Sequence, residues 1–387
     1  MYRQVVSYLN LIKKEEVYKM DIKRFLVPWI DEVEPYNTDD LLIAWSRPDL
    51  KRMMINENPF QPPDKVLHAI LEAAKLGNRY PDNGPRIRAK IAKLYNLGPD
   101  NVYISHGSSE IIDILMRLFV TPEDEVIVPN PTFSLYALRA KAVGGKVIQV
   151  DMTPDLQYNL PAILKAITPR TKVIVVCTPN NPTGDYIPDE DLMKIVEVGI
   201  PTLVDEAYLE YHPERGSKAH LIRKYEHIIV AHTFSKAFGM AGIRFGYALA
   251  DEKLIQYFRK MQIPWNTSLL SMAAAEAALD EEEELRRKAA YNNAEVEYVF
   301  NELSKIPGVK PYYSRGNYVL IDATDAGVRG QEIVDYAFNK DGIMIKPLAP
   351  FKGRNGFFRI SLGTHEENAL CVESIKRFFA ERKRGAK

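Results

Sequence analysis

The segment formed by residues 227–250 reads HIIVAHTFSKAFGMAGIRFGYALA, and it places a lysine just beyond a predicted strand. The apolar and β-branched residues 228–231 predict a buried strand that ends before Ser235 and Lys236. Open α/β sheets hold their chemistry in the crevice at the carboxyl ends of the strands. Ser235, Lys236 and Arg244 would bring a hydroxyl, an amine and an anion-binding guanidinium there, which suits an aldehyde that carries a phosphate. A lone lysine after a strand is more often a solvated surface residue, so the other segments of the chain decide between the two interpretations.

The composition limits the classes of protein that the chain can form. Its 387 residues, 46% of them hydrophobic, can bury the cores of one large domain and one smaller domain. The 51 basic and 51 acidic residues balance, so net charge gives no reason to expect a nucleic-acid or membrane partner. Cys177 and Cys371 lack metal-ligand spacing, which indicates no metal site and favours a cytoplasmic location. Residues 1–20 have mixed charge and no cleavage signal, so we interpret them as an amphipathic arm and not as a signal peptide.

The order of predicted elements indicates two domains. Prolines at 28, 35 and 48 predict an extended arm over residues 23–50. From residue 101 apolar strands alternate with helices, a pattern typical of a mostly parallel sheet covered on both faces. Residues 273–306 predict one long helix, and shorter strands and helices follow it. We therefore expect an N-terminal arm with part of a small domain over 1–61, a large domain over 62–273 and the remainder of the small domain over 274–387.

A second candidate site follows the strand VYIS, where Gly107, Ser108 and Ser109 lead directly into a predicted helix. The unpaired amides at the start of a helix, together with the helix dipole, attract anions. A glycine there allows close approach, and the serine hydroxyls add donors. Taken alone the sequence is ordinary helix capping, but combined with Arg244 it predicts a phosphate site.

Three further strand ends carry polar or aromatic side chains. Phe133 in PNPTF could stack on a planar heterocycle or simply pack in the core. Asn181 lies in the rigid turn TPNNPTG and could face the crevice. Asp205 ends a buried strand, where a carboxylate is costly unless it meets a cation, and Tyr208 follows three residues later. A helix cap and a packed tyrosine are the alternatives for the last pair.

One ligand accounts for all these groups together. An aldehyde for Lys236, a phosphate for the serines and Arg244, a protonated ring nitrogen for Asp205 and a flat ring for Phe133 describe pyridoxal 5′-phosphate (PLP).

The motifs NENP, NRYPD, HGSSE, PNPTF, TPNNPTG, VDEAY, HTFSKAFGMAGIRFGYALA and FFRISLGTHEE occur in this order. With them the chain closely resembles the fold-type I, class I/II aminotransferases, and within that class the histidinol-phosphate aminotransferases, from about residue 26 to residue 379. The resemblance implies an α/β, fold-type I PLP-dependent transferase. Its large, PLP-binding domain would hold a mostly parallel seven-stranded sheet between helices, beside a smaller α+β domain.

The resemblance also implies roles for the candidate residues. Lys236 would form the Schiff base and move protons, Asp205 would bind the pyridine nitrogen, and Tyr208 and Asn181 would contact the phenolic oxygen. Phe133 would stack on the ring. The phosphate would be held by Gly107, Ser108, Ser109, Ser235 and Arg244.

Further implied roles concern the substrate and the assembly. Tyr80 in NRYPD would reach the phosphate of the partner subunit's cofactor, which implies a homodimer. Arg359 in FFRIS would bind the anionic group of the substrate, near Tyr36, Asn181 and Lys346. Lys346 stands at or near a position where many histidinol-phosphate aminotransferases carry arginine, and lysine cannot bind phosphate in bidentate fashion. Residues 37–52 and the first twenty residues also depart from the family pattern.

The implied activity is ping-pong transfer of an amino group from a small-molecule donor to a 2-oxo acid. L-Histidinol phosphate with 2-oxoglutarate is the specific hypothesis, and aromatic or other L-amino acids are alternative donors. Threonine-phosphate decarboxylases and carbon–sulfur lyases share this fold and lysine, so these reaction classes stay open. A non-enzymatic PLP sensor is a further alternative, although the chain has no appended DNA-binding motif.

Overall fold

The computed structural model describes residues 21–385, so the predicted amphipathic arm over residues 1–20 lies outside it. The strands are β1 (Lys51–Arg52), β2 (Val102–Ser105), β3 (Glu125–Asn130), β4 (Lys146–Asp151), β5 (Thr171–Cys177), β6 (Thr202–Asp205), β7 (Ile228–Thr233), β8 (Gly246–Leu249), β9 (Lys310–Tyr312), β10 (Tyr318–Asp322), β11 (Ile343–Met344), β12 (Lys346–Pro347) and β13 (Phe357–Ser361). The α-helices are α1 (Asp39–Ser46), α2 (Asp64–Ala74), α3 (Pro85–Leu94), α4 (Ser108–Phe119), α5 (Leu135–Ala142), α6 (Leu160–Lys165), α7 (Asp189–Val196), α8 (Glu252–Met261), α9 (Leu269–Ala278), α10 (Glu282–Ser304), α11 (Gly330–Asp341) and α12 (His365–Gly385). No helix within residues 21–385 is long and apolar enough to cross a bilayer.

The central feature is a seven-stranded sheet in the order β2-β8-β7-β6-β5-β3-β4. The neighbouring strands β7, β6, β5, β3 and β4 pair in parallel in that spatial order. Strand β8 pairs antiparallel with both β2 and β7. Helices cover both faces because the strands are apolar on both sides. Ile229 and Ala231 of β7 face α4, α5 and α8, whereas Ile228 and Val230 face the core that α2, α3, α6 and α7 complete. The predicted fold class is confirmed.

A smaller antiparallel sheet, ordered β12-β13-β10-β9, forms the second core. Alternate residues such as Val319, Ile321 and Ile360 pack beneath α10, α11 and α12. The N-terminal part of the chain joins this region, since β1 pairs in parallel with β11.

The predictions for two segments are wrong. Residues 39–46 form helix α1 instead of an extended segment, because Pro35 and Pro48 flank the helix and do not interrupt it. The predicted long helix is divided into α9 and α10 by a turn at residues 279–281. Ion pairs join that turn to α2 and α3, with Lys90 Nζ 2.6 Å from Asp280 Oδ1 and Lys65 Nζ 2.9 Å from Glu281 Oε1. These partners are distant in sequence, so the local helical pattern does not reveal the break.

Candidate active site

A cavity of about 600 Å³ lies where the carboxyl ends of the central strands meet the small sheet. The structure brings most of the predicted site residues to its wall. They are Tyr36, Ser108, Ser109, Phe133, Asn181, Asp205, Tyr208, Ser235, Lys236, Arg244, Lys346 and Arg359.

Lys236 follows β7 by three residues and points its amine into this cavity. Its Nζ donates hydrogen bonds to the carbonyl oxygens of Ile55 at 3.2 Å and Asn56 at 3.1 Å. Burial, reinforced by the positive charges of Arg359 and Arg244, lowers the pKa of Lys236 to about 7. A substantial fraction of the side chain is therefore a neutral, nucleophilic amine at neutral pH.

Asp205, at the end of β6, is a buried carboxylate. Its Oδ2 accepts a hydrogen bond from the hydroxyl of Tyr136 at 2.7 Å, and Oδ1 accepts one from the amide of Ala207 at 3.0 Å. Burial raises the pKa of Asp205, while these donors oppose the rise. No lysine or arginine within residues 21–385 forms an ion pair with it, so the carboxylate is suited to a cation from outside the chain.

The start of α4 and Arg244 form a cluster of anion-binding donors. Arg244 Nη1 donates to Ser235 Oγ at 3.2 Å and to the carbonyl of Ala241 at 2.9 Å. Gly107 adopts φ +80°, and a Cβ there would overlap the Arg244 guanidinium. Among the described residues no carboxylate neutralises Arg244, so the donors of α4, Ser235 and Arg244 fit a phosphate.

The small sheet contributes Arg359 from β13. Its Nη1 donates to Asn181 Oδ1 at 2.6 Å and its Nη2 to the carbonyl of Met54 at 2.6 Å. The Nε is buried and has no hydrogen-bond partner in the described part of the chain. Neutral oxygens thus bind Arg359, and no carboxylate pairs with it there, which leaves a buried positive charge for a substrate anion.

Aromatic side chains and the NENP loop complete the wall. Phe133 contacts Tyr36 edge-on, with ring centroids 6.4 Å apart, and Tyr136 at 5.6 Å. The hydroxyl of Tyr208 accepts a hydrogen bond from Asn56 Nδ2 at 2.9 Å. Burial raises the pKa of Tyr208, so the phenol remains a hydrogen-bond donor.

Two of the predicted residues have other surroundings. Tyr80 is 75% exposed, does not line the cavity of its own chain, and stacks on Trp265 at 4.1 Å. Its predicted contact with a partner subunit stays a prediction. Lys346 lines the cavity, but its Nζ lies 2.6 Å from Asp40 Oδ2.

Sequence reasoning missed Tyr136, Asn56 and Asp40. Asn56 lies in the recognised motif NENP, which was a signal that it belongs to the site. Tyr136 and Asp40 sit in helical segments without a distinguishing pattern, and only their contacts across the fold reveal them.

The surroundings fit each part of one molecule. The amine of Lys236 suits an aldehyde, Asp205 suits a protonated ring nitrogen, and the α4–Arg244 cluster suits a phosphate. The fold and these side chains define a PLP-dependent enzyme.

Comparison with known proteins narrows this class. Residues 49–375 match the model of the family "Aminotransferase class I and II". The chain belongs to this family and is a PLP-dependent aminotransferase, as the sequence predicted.

Individual relatives and solved structures agree with the family match. The chain is 34% identical over 331 residues to a histidinol-phosphate aminotransferase of Thermoanaerobacter pseudethanolicus, an alignment covering 84% of this chain and 92% of the relative. The crystal structure of histidinol-phosphate aminotransferase from Sinorhizobium meliloti in complex with pyridoxal-5′-phosphate superposes with a TM-score of 0.83 at 25% identity, covering 91% of this chain and 98% of that one. The alanine aminotransferase from Pyrococcus furiosus superposes with a TM-score of 0.80, also at 25% identity, covering 92% of this chain and 100% of that one.

Proposed function

We propose that this aminotransferase moves the amino group of L-histidinol phosphate to 2-oxoglutarate by a ping-pong mechanism. The observation that carries the proposal is Arg359, a buried guanidinium at the cavity that no carboxylate within residues 21–385 neutralises. A phosphate or carboxylate of the substrate would supply the missing charge. The names of relatives at 34% identity support the choice of donor.

The chain's own residues would hold the cofactor at both ends. Ser108, Ser109, Ser235 and Arg244 would bind the phosphate, beside Gly107. Asp205 would keep the ring nitrogen protonated, and Phe133 would lie against the ring. Tyr208 and Asn181 would contact the phenolic oxygen. When bound, PLP supplies an electron sink for the electrons left at the donor's α-carbon.

Lys236 would perform the proton transfers. With cofactor and donor bound, Lys236 would be the base that takes the proton from the α-carbon of the donor, and a pKa of about 7 suits a base that works at neutral pH. Arg359 would orient the donor through its anionic group, near Tyr36 and Lys346. In the second half-reaction, with the 2-oxo acid acceptor, Lys236 would carry out the same proton transfers in the reverse direction.

The proposal includes a homodimer in the cytoplasm. Tyr80 of each subunit would reach the cofactor phosphate of the partner's site, and its exposed position, stacked on Trp265, supports this arrangement.

The test is a panel of single half-reactions. PLP-loaded protein is mixed with histidinol phosphate, glutamate, phenylalanine or threonine phosphate, and absorbance follows conversion of the cofactor to its aminated form. We expect histidinol phosphate to convert the cofactor fastest at a given donor concentration. The Lys236→Ala variant should show no conversion with any donor. A clear preference for phenylalanine would show that the donor is an aromatic amino acid and not histidinol phosphate. Release of carbon dioxide from threonine phosphate would show that the reaction is a decarboxylation.

One observation favours a donor with an uncharged side chain as the second candidate. Lys346, which with Arg359 is one of the two cations that the small sheet contributes to the cavity wall, is already paired with Asp40. A donor with an apolar side chain would leave that pair intact, and Leu320, Leu348 and Phe357 offer apolar wall nearby.

A further inference from the structure

The cavity contains two cations on neighbouring strands of the small sheet. Lys346 of β12 is directly opposite Arg359 of β13 in the antiparallel register, so both side chains lie on the same face. Both line the cavity. Like charges directly opposite each other destabilise a sheet, and the pair therefore favours any anion placed beside it.

The chain provides one such anion from a distant element. Asp40, in the first turn of α1, binds Lys346 through Oδ2 at 2.6 Å. The other two carboxylates that line the cavity among the described residues have different partners: Glu57 pairs with Arg52, and Asp205 accepts from Tyr136. Asp40 consequently neutralises Lys346, while Arg359 keeps its full charge.

The pair can be separated at little cost. The side chains of Lys346 and Asp40 are 35% and 41% exposed, and ion pairs of that exposure contribute little to stability. Helix α1 also packs lightly, with Ala44 as its one buried residue and with Leu42 and Trp45 exposed. A substrate anion can therefore displace Asp40 from Lys346.

We propose that Asp40 is a specificity-determining residue that competes for Lys346 with a second anionic group of the substrate, one that Arg359 does not bind. A substrate with such a second anionic group takes Lys346 from Asp40, whereas a substrate without one leaves the ion pair in place. Ping-pong transfer requires one cavity to accept two substrates, and this exchange lets it accept substrates of different charge. The inference rests on the proposed function in one respect, namely that this cavity is the substrate site.

The experiment compares two ligands of four carbons, succinate with two carboxylates and butyrate with one. Their affinities for the PLP-loaded protein are measured by titration calorimetry for wild type, Asp40→Asn, Lys346→Gln and the double variant. Asp39→Asn is the matched control, because it removes the same charge from the neighbouring, exposed position outside the cavity wall.

We expect Asp40→Asn to tighten succinate binding about 5-fold, the size of a partly exposed ion pair, and to leave butyrate within about 2-fold. Lys346→Gln should weaken succinate about 5-fold and remove the effect of Asp40→Asn in the double variant. The inference would be overturned if Asp40→Asn left the ratio of succinate affinity to butyrate affinity unchanged. It would also be overturned if Asp39→Asn tightened succinate binding to the same extent.

These outcomes are separate from those for the proposed function. If no amino donor in the half-reaction panel converts the cofactor, the proposed function fails. The ratio of succinate to butyrate affinity still decides the role of Asp40, since binding alone is measured.

Discussion

The amine of Lys236 lies among cations and carbonyl oxygens instead of in water. Burial and the charges of Arg359 and Arg244 all disfavour the ammonium form and hold the pKa near 7. The same environment that makes the ammonium costly makes the neutral amine available for an aldehyde. Reactivity at this residue thus depends on neighbours that are far away in the chain.

This environment predicts the pH dependence of cofactor attachment. When cofactor-free protein is mixed with PLP, the rate of covalent attachment should rise with pH through about 7 and level off above it, because the amine is deprotonated above its pKa. Absorbance of the attached cofactor gives the rate. Arg359→Gln should move the midpoint to higher pH by removing a positive neighbour, and a midpoint near 10 in wild type would contradict the prediction.

Tyr136 donates a hydrogen bond to Asp205, the buried carboxylate of the cavity wall. Replacing it with phenylalanine leaves Asp205 Oδ2 without a donor and weakens the ionised form that would hold the ring nitrogen. We expect Tyr136→Phe to lower kcat about 10-fold, the value of one buried hydrogen bond to a charged group, with PLP still bound. The control is Tyr158→Phe, another buried tyrosine, whose hydroxyl binds the carbonyl of Cys177 at 2.6 Å. Equal losses in the two variants would exclude a specific role for Tyr136.

At the scale of elements, the junction of β2 and α4 forms the proposed phosphate site. The chain turns there through Gly107, whose positive φ and contact with Arg244 both exclude a side chain. Ser108 and Ser109, the first two residues of α4, then line the cavity. We therefore expect Gly107 to determine both the local backbone geometry and the binding of the phosphate.

Gly107→Ala should weaken PLP binding about 10-fold or more, because the new methyl group displaces Arg244 in addition to straining the backbone. Equilibrium titration of cofactor fluorescence measures the effect. Gly199→Ala is the matched control: Gly199 also has a positive φ, of +81°, but nothing lies within 4 Å of its Cβ position. The prediction fails if Gly199→Ala weakens PLP binding equally.

At the scale of the whole molecule, the cavity belongs to no single sheet. Lys236 and Asp205 come from the seven-stranded sheet, Arg359 from the small sheet, and Asp40 from the N-terminal segment. The exposed ring of Tyr80 lies outside the cavity of its own chain, and we propose that it acts at the site of the partner subunit.

Mixed dimers test the proposed role of Tyr80. Tyr80→Phe should lower PLP affinity about 5-fold through loss of one hydrogen bond to phosphate. In a dimer that combines a Tyr80→Phe subunit with a Lys236→Ala subunit, one site holds both an intact lysine and an intact tyrosine if Tyr80 acts across the interface. That site should bind PLP with wild-type affinity. If the mixed dimer binds as weakly as the Tyr80→Phe homodimer, Tyr80 acts within its own subunit. If Tyr80→Phe binds PLP as tightly as wild type, Tyr80 has no role in binding the cofactor.

The sequence alone determined the fold class and part of the cavity wall. Continuous apolar runs such as residues 228–231 specify strands buried on both faces, and parallel strands bring their carboxyl ends to one edge. Lys236, Asp205 and Asn181 could therefore be placed together from position alone. The break between α9 and α10 could not be predicted from the local helical pattern, because the residues of the turn contact helices that are distant in sequence.

Only the tertiary structure decided which side chains control those residues. The hydrogen bonds from Tyr136 to Asp205, from Arg359 to Asn181 and from Lys346 to Asp40 join positions separated by 69, 178 and 306 residues. A local pattern specifies which face of an element is buried, but not which distant element packs against it. The charges and pKa values of the site depend on those distant partners, and so they follow from the packing of the two sheets and the N-terminal segment.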